Sequence, residues 1–299
     1  MNNRDILQRF LIENASIRGE IAHLNQSFQM IINQHKYPPV IQRLLGEALV
    51  LVSLLSAIIK FKGRLTLQFQ GKGKLKLLLA QCNDEFHLRG LAQLKGDLKE
   101  EDVLDDLKNG ILMITIDPDA SGRSYQGIVA WQGNSLAQSI EGYFRNSEQL
   151  LTRIWVAVDD TRASGLLLQV MPREGSKGHD VLPITSGLDW EHIIHLTNTI
   201  TPNELLTLEN ETLLRRLYNQ EQVRLFHHAP IIFRCTCSAK RGENAILLLG
   251  RDEVEQELND NQVIIVTCDF CNKEFKFDRV DVAKIFRKGG TPPSSTQVH

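Results

Sequence analysis

The chain has 299 residues, 42% hydrophobic and 23% charged, with 34 lysines and arginines against 36 aspartates and glutamates. These values describe an ordinary globular protein of about two domains, with enough apolar content for a sizeable core. A formal net charge of -2 gives no global attraction to phosphate or to an anionic bilayer, which argues against a basic nucleic-acid binder.

Two runs rich in branched residues, Ile6–Ile12 and Ile17–Leu24, are split by Glu13-Asn14-Ala15 and predict strand, turn and strand. Pro38-Pro39 then stands at the first turn of a helix whose apolar face carries Leu44, Leu45, Ala48, Leu51, Val52, Leu55 and Ile58-Ile59. Its most apolar stretch, 48–59, is about two-thirds of the roughly 18–20 residues a spanning helix needs, so a buried core helix is expected. Further on, Leu65, Leu67 and Phe69 alternate with polar residues, Gly71-Lys-Gly-Lys74 turns, and 75–79 continues, which is a hairpin pattern. Segments 111–116, 125–131, 153–158 and 165–171 read as further strands, with a helix over 135–146. Residues 1–175 are therefore expected to form an α+β N-terminal domain.

Between 176 and 230 the composition changes, with Gly178, Pro183, Gly187 and Pro202 punctuating amphipathic segments at 190–196 and 204–218. Thr197-Asn-Thr-Ile-Thr201 is nearly all β-branched and lowers helix propensity, so this region reads as a helical linker of marginal stability. Residues 231–288 form a compact last module, and 289–299 read as a disordered tail. The first residues, Met1-Asn-Asn-Arg-Asp, show neither a secretory signal nor a transit peptide, and the cytoplasm is the expected location.

Five cysteines are too few for a disulfide framework, and four of them form two tight pairs, Cys235-Thr-Cys237 and Cys268-Asp-Phe-Cys271. Two close thiol pairs on turns supply four thiolates for a tetrahedral zinc ion, giving a small C-terminal four-cysteine zinc-binding domain. The intervening segment, 238–267, has room for helices at 240–249 and 252–258 and a strand at 263–266, with a second strand at 272–277 after the knuckle. On spacing alone a structural zinc site leads, with a reactive thiol switch behind it. Four sulfur ligands leave no open position for metal-bound water, which disfavours a catalytic zinc. A nucleic-acid ribbon gains no support, because basic and acidic residues balance within 232–290. A thioredoxin-like role for Cys268 and Cys271 needs a helix beginning at the motif, and a strand is expected there instead.

The remaining candidates are weaker. Cys82 follows an apolar strand and reads as a buried small hydrophobe. Glu191, His192 and His195 share one helical face but lack further ligands, and His227-His228 stand close to a shell that four thiolates already complete. Gly71-Lys-Gly-Lys74 lacks the length of a phosphate loop. No catalytic motif is present, and no enzyme activity is expected.

Phe233-Arg-Cys235-Thr-Cys237-Ser and Cys268-Asp-Phe-Cys271-Asn-Lys-Glu-Phe-Lys-Phe-Asp278 closely resemble the redox-regulated bacterial chaperone family of heat-shock protein 33. Supporting segments are Arg18-Gly-Glu-Ile-Ala-His-Leu24, Tyr143-Phe-Arg-Asn-Ser-Glu-Gln-Leu150, Gly165-Leu-Leu-Leu-Gln-Val-Met-Pro172 and Leu225-Phe-His227. Two departures stand out: Ser164-Gly165 where a paired glycine is expected, and Leu151 where the family often has proline. The resemblance implies an ATP-independent holdase, inactive when reduced and zinc-bound, and active on unfolding clients when oxidised. It implies Cys235, Cys237, Cys268 and Cys271 as zinc ligands and redox thiols, with a disulfide within each close pair, and a homodimer on activation. It also makes 1–175 the client-binding domain and 231–288 the redox switch, with neither nucleic acid nor membrane as a partner.

Such a switch has a physical basis. Structural zinc contributes on the order of 10–16 kcal/mol in small peptides, so loss of the ion is expected to unfold the last module. A Cys235–Cys237 disulfide closes a very small ring, is expected to be strained and is easily reduced again. A linker that rests on both neighbours then exposes Trp190, Ile193, Ile194, Leu205, Leu206, Leu213, Leu214 and Leu217. The competing readings are a purely structural zinc domain with constitutive client or scaffold binding, a nucleic-acid ribbon, and a thiol-disulfide oxidoreductase.

Overall fold

The computed structural model describes residues 5–96, 100–119, 122–171 and 187–288. The chain divides into two compact units, Met1–Arg234 and Cys235–His299.

The first unit opens with the hairpin β1 (Ile6–Ile12) and β2 (Ile17–Leu24), then α1 (Gln26–Ile32) and α2 (Pro39–Ile58). Strands β3 (Gly63–Gln70), β4 (Leu75–Asn83) and β5 (His87–Leu94) follow, then α3 (Glu100–Lys108), β6 (Ile111–Pro118) and β7 (Tyr125–Val129). Next come α4 (Leu136–Tyr143), which runs on into a single π turn (Phe144–Glu148), and the hairpin β8 (Thr152–Val158) and β9 (Ala163–Val170). The unit ends with α5 (Gly187–Thr197), α6 (Pro202–Thr207), α7 (Asn210–Leu217), β10 (Val223–Pro230) and β11 (Ile232–Phe233).

The strands form two sheets. The first has the order β10-β1-β2-β9-β8 and the second β11-β5-β4-β3-β6-β7. Helix α2 lies between them: its apolar residues join Leu65, Leu67 and Leu78 of one sheet and Ala22, Leu24 and Leu167 of the other in a single core. Pro39 supplies the first helical position of α2, where a missing N–H costs nothing. By length and hydropathy α2 is able to cross a membrane, yet 78% of its most apolar window is buried inside this unit, as a core helix requires. Close approach of α2 to β9 depends on Gly165, where an added Cβ would lie 2.4 Å from a methyl carbon of Val50.

The opposite face of the first sheet carries a second core. Phe10, Ile17, Ile21, Leu166, Leu168 and Val170 meet Ile193, Leu205, Leu213, Leu214 and Leu217 from α5, α6 and α7. Both faces of β9 are therefore covered, and all eight of its residues are buried. That is why its sequence is almost continuously apolar rather than alternating.

Helix α1 has no counterpart in the sequence expectation, and two other segments differ from it. Helix α1 has no side-chain cap of its own; the Asp5 carboxylate accepts from the Asn25 and Ser27 backbone N–H groups at 2.7 and 3.0 Å. Residues 223–230, expected as part of the helical linker, form strand β10, which pairs antiparallel with β1 and brings Pro230 opposite Ile6. Residues 232–233, expected in the last module, form β11, which pairs parallel with β5. The β-branched segment 197–201 does break the helix: α5 stops at Thr197, and Thr201 forms a capping box with Glu204 at the start of α6. Gly178, Pro183 and the tail 289–299 lie outside the described residues.

The second unit contains α8 (Ala239–Leu249), α9 (Arg251–Asn261), the hairpin β12 (Val263–Thr267) and β13 (Glu274–Asp278), and α10 (Arg279–Lys288). Its core consists of Ile246, Val254, Leu258, Ile264, Phe277, Val282 and Ile285. Helix α10, absent from the sequence expectation, starts where the Asp278 carboxylate accepts from the Asp281 N–H at 2.8 Å.

Candidate metal centre

The turn joining β12 to β13 presents one cysteine pair. The Cys268 carbonyl accepts from the Asn272 and Cys271 N–H groups at 2.8 and 3.3 Å, and the Cys268 N–H donates to the Lys273 carbonyl at 3.0 Å. Asn272 takes the left-handed conformation (φ 52°) that closes the knuckle, a role for which asparagine is among the better-suited residues. The other pair lies on the loop before α8. Ser238 caps that helix by accepting from the Arg241 N–H, and the Arg241 guanidinium donates back to Thr236 Oγ1 at 3.0 Å, which braces the loop between Cys235 and Cys237.

The two pairs converge. All four sulfurs lie within 4.8 Å of one another, with Cys235 Sγ 3.6 Å from Cys268 Sγ and Cys237 Sγ 3.5 Å from Cys271 Sγ. A tetrahedron with zinc–sulfur distances of about 2.3 Å has sulfur–sulfur edges of about 3.8 Å, so the arrangement fits a tetrahedral thiophilic cation. All four are free thiols and partly accessible.

Electrostatics points the same way. Burial raises the Cys235 thiol, but the Cys237 backbone N–H and the neighbouring thiols outweigh it, leaving Cys235 below the ordinary thiol range. Burial and three nearby thiols push Cys271 up to about 12, while Cys237 is raised by burial and by the charges of Cys235 and Cys268. One thiolate forms readily and each further one repels it, so four coexisting thiolates call for a cation.

The other candidates lie elsewhere. His192 and His195 are exposed on α5, and His192 Nε2 is 3.0 Å from Glu221 Oε1. His227 and His228 are exposed on the edge strand β10 of the first unit. Neither pair joins a group able to hold a metal; among the described residues the four cysteines alone do so. Cys82 is fully buried on β4, and burial pushes its thiol up to about 12, which suits an inert core residue. Gly71-Lys-Gly-Lys74 is a turn, closed by the Gly71 N–H on the Lys76 carbonyl at 3.0 Å.

Sequence reasoning named the linker's apolar residues but not the surface they cover. Phe10, Ile21, Leu166 and Leu168 form that surface, and the signal was the run of three leucines, Leu166–Leu168, in β9, which calls for a cover on both faces.

Fold and site together define a mixed α+β protein with a C-terminal four-cysteine module able to hold a metal ion. A family profile described as "Hsp33 protein" matches residues 5–278. A relative named 33 kDa chaperonin from Nitrosococcus oceani is 44% identical over 299 residues, covering 100% of both chains. Another of that name, from Azotobacter vinelandii, is 42% identical and covers 99% of this chain and 100% of its own. The chain thus belongs to the Hsp33 family of chaperones. A solved 33 kDa chaperonin from Thermotoga maritima matches the fold with a TM-score of 0.79 at 21% identity, covering 95% of this chain and 99% of that one.

Proposed function

We propose that this chaperone is a redox-regulated, ATP-independent holdase of the cytoplasm, with Cys235, Cys237, Cys268 and Cys271 as zinc ligands and redox thiols. The observation that carries the reading is the apolar face of the first sheet, covered by α5, α6 and α7 rather than by a core helix. A bound zinc ion would hold the four sulfurs as thiolates and contribute to the folding of a module whose apolar core is small.

Cys235 and its neighbours supply the chemistry. A thiolate attacks one oxygen of a peroxide, the O–O bond breaks, and water leaves after protonation, giving a sulfenic acid. The second sulfur of the pair attacks that sulfur and expels hydroxide, so two thiols and one hydrogen peroxide become one disulfide and two waters. Disulfides within Cys235–Cys237 and within Cys268–Cys271 remove the four-thiolate ligand set, and the module loses its support.

The chain runs from α7 through β10, an edge strand of the sheet that the linker covers, and β11 of the other sheet to Cys235, so the switch follows the linker directly in the chain. Release of α5, α6 and α7 uncovers Phe10, Ile21, Leu166 and Leu168 together with the linker's own leucines. Such a patch binds the apolar segments of unfolding clients without nucleotide or covalent chemistry. Oxidised molecules also pair as homodimers in this reading, and neither nucleic acid nor membrane is a partner.

The test measures light scattering from an aggregating client at unfolding temperature, with reduced zinc-loaded protein and with the same protein after peroxide. Suppression after oxidation alone, reversed by a thiol reductant, is the expected result. Equal suppression in both states overturns the reading and leaves the cysteines a structural role.

A further inference from the structure

Beside the apolar cluster, on the same face of the first sheet, the structure holds a chain of polar side chains that crosses from the sheet to the linker. Ser164 Oγ on β9 lies 2.9 Å from His23 Nδ1 on β2, and His23 Nε2 lies 2.7 Å from Asn210 Oδ1 at the start of α7. Asn210 Nδ2 donates to Gln8 Oε1 on β1 at 2.8 Å, and Gln8 Nε2 donates to the Phe226 carbonyl on β10 at 2.8 Å.

The last contact sets the direction of the whole chain. A backbone carbonyl only accepts, so Gln8 turns its NH2 to Phe226 and its oxygen to Asn210. Asn210 then presents its NH2 to Gln8 and its oxygen to His23. His23 must therefore carry a proton on Nε2, and in the neutral ring its Nδ1 accepts from the Ser164 hydroxyl. Four consecutive hydrogen bonds run in one sense through three strands and one linker helix, ending on a fourth strand. Asn210 is 5% exposed and Ser164 1% exposed, so neither turns readily to water while the linker is docked.

We infer that Ser164, His23, Asn210 and Gln8 form a polar latch that fixes α7 in one register on the sheet and holds the linker closed. The latch deepens the holdase reading, on which its regulatory meaning rests. Apolar contacts tolerate sliding of a helix across a sheet, whereas this relay is complete at one position of α7 only. Ser164 contributes a donor that the expected paired glycine would lack. Sliding or lifting α7 breaks the bond between His23 and Asn210, which joins a side chain of β2 to the linker helix.

The test is hydrogen exchange on the reduced full-length protein, comparing wild type with Asn210→Ala, His23→Ala, Ser164→Ala and the His23→Ala/Asn210→Ala double variant. Asn210→Ala and His23→Ala are each expected to speed exchange of the α7 amides about tenfold, the effect of leaving one buried hydrogen-bonding group unpaired. The double variant is expected to match the larger single effect rather than multiply the two. Thr212→Ala, exposed on the same helix, is expected to leave exchange unchanged. Unchanged α7 exchange in the latch variants, or fully multiplicative effects, overturns the proposal. So does an equal rise in α2, because the residues would then act through the whole fold.

Oxidation plays no part in that comparison. If the latch variants behave as expected while oxidised wild type keeps full linker protection, the redox reading fails and the latch stands.

Discussion

The two units solve the same problem with different means. In the first, α2 is enclosed by two sheets and a second apolar layer covers the outer face of one of them. In the second, seven buried side chains among the described residues form the core, and four convergent thiols lie at the start of the unit and on its hairpin turn. The first has the apolar burial to stand alone; in the proposed reading the second rests on its cysteines. If the proposed redox response holds, that imbalance serves it, because chemistry at four atoms then decides the state of one unit and leaves the core of the other intact.

Metal removal is the sharpest way to break the comparison. A strong chelator, or Cys271→Ser, is expected to abolish exchange protection throughout 235–288 while α2 and β9 keep theirs, since the lost coordination, on the order of 10 kcal/mol, exceeds what a core this small supplies. Protection surviving in both units would place the second unit's stability in its apolar core.

Truncation of the linker's contact is next in size. Leu213→Ala, at a fully buried position, is expected to lower docking stability by about 2–5 kcal/mol and to raise binding of a hydrophobic dye by the reduced protein. A change confined to the global melting temperature, with no dye binding, would make the linker part of the core. Gly165→Ala sharpens the other side: a Cβ pressed against Val50 is expected to cost about 1–3 kcal/mol, read as an earlier denaturant midpoint for the first unit alone.

The smallest effect is electrostatic. Burial raises the Glu47 carboxyl above its ordinary 4.5, even though it accepts from the Ala137 and Leu136 N–H groups at the start of α4. Between 4.5 and that raised value the folded state binds more protons than the unfolded state, so this group's contribution is fullest below pH 4.5 and falls as pH rises through the window. Glu47→Gln is expected to flatten the pH dependence of the first unit's denaturant midpoint there, and parallel curves for the two proteins would refute that assignment.

Local signals in the sequence foretold much of this. Alternation marked β3, the turn Gly71-Lys-Gly-Lys74 marked the hairpin to β4, Pro38-Pro39 marked the start of α2, and the two cysteine pairs marked the candidate metal centre, because each depends on residues close together in the chain. What escaped was set by distant residues. Helix α1 is capped by Asp5, twenty residues before the Asn25 that it bonds, and β10 is a strand because the edge of β1 is there to pair with. Helix α10 is the exception, since Asp278-Arg-Val-Asp281 ahead of Val282 and Ile285 is a local start signal that went unread. Gln8, His23, Ser164 and Asn210 lie far apart in the chain, and no spacing rule joins them.

The pairing of Ile6 with Pro230 also constrains how the molecule is made. At about 5–20 residues per second, the first strand waits on the order of 10–50 s after synthesis before its edge partner exists. During that time β1 has one unpaired edge and an apolar side with no cover. Each newly made copy is thus, for some seconds of its life, the kind of exposed chain that a holdase binds.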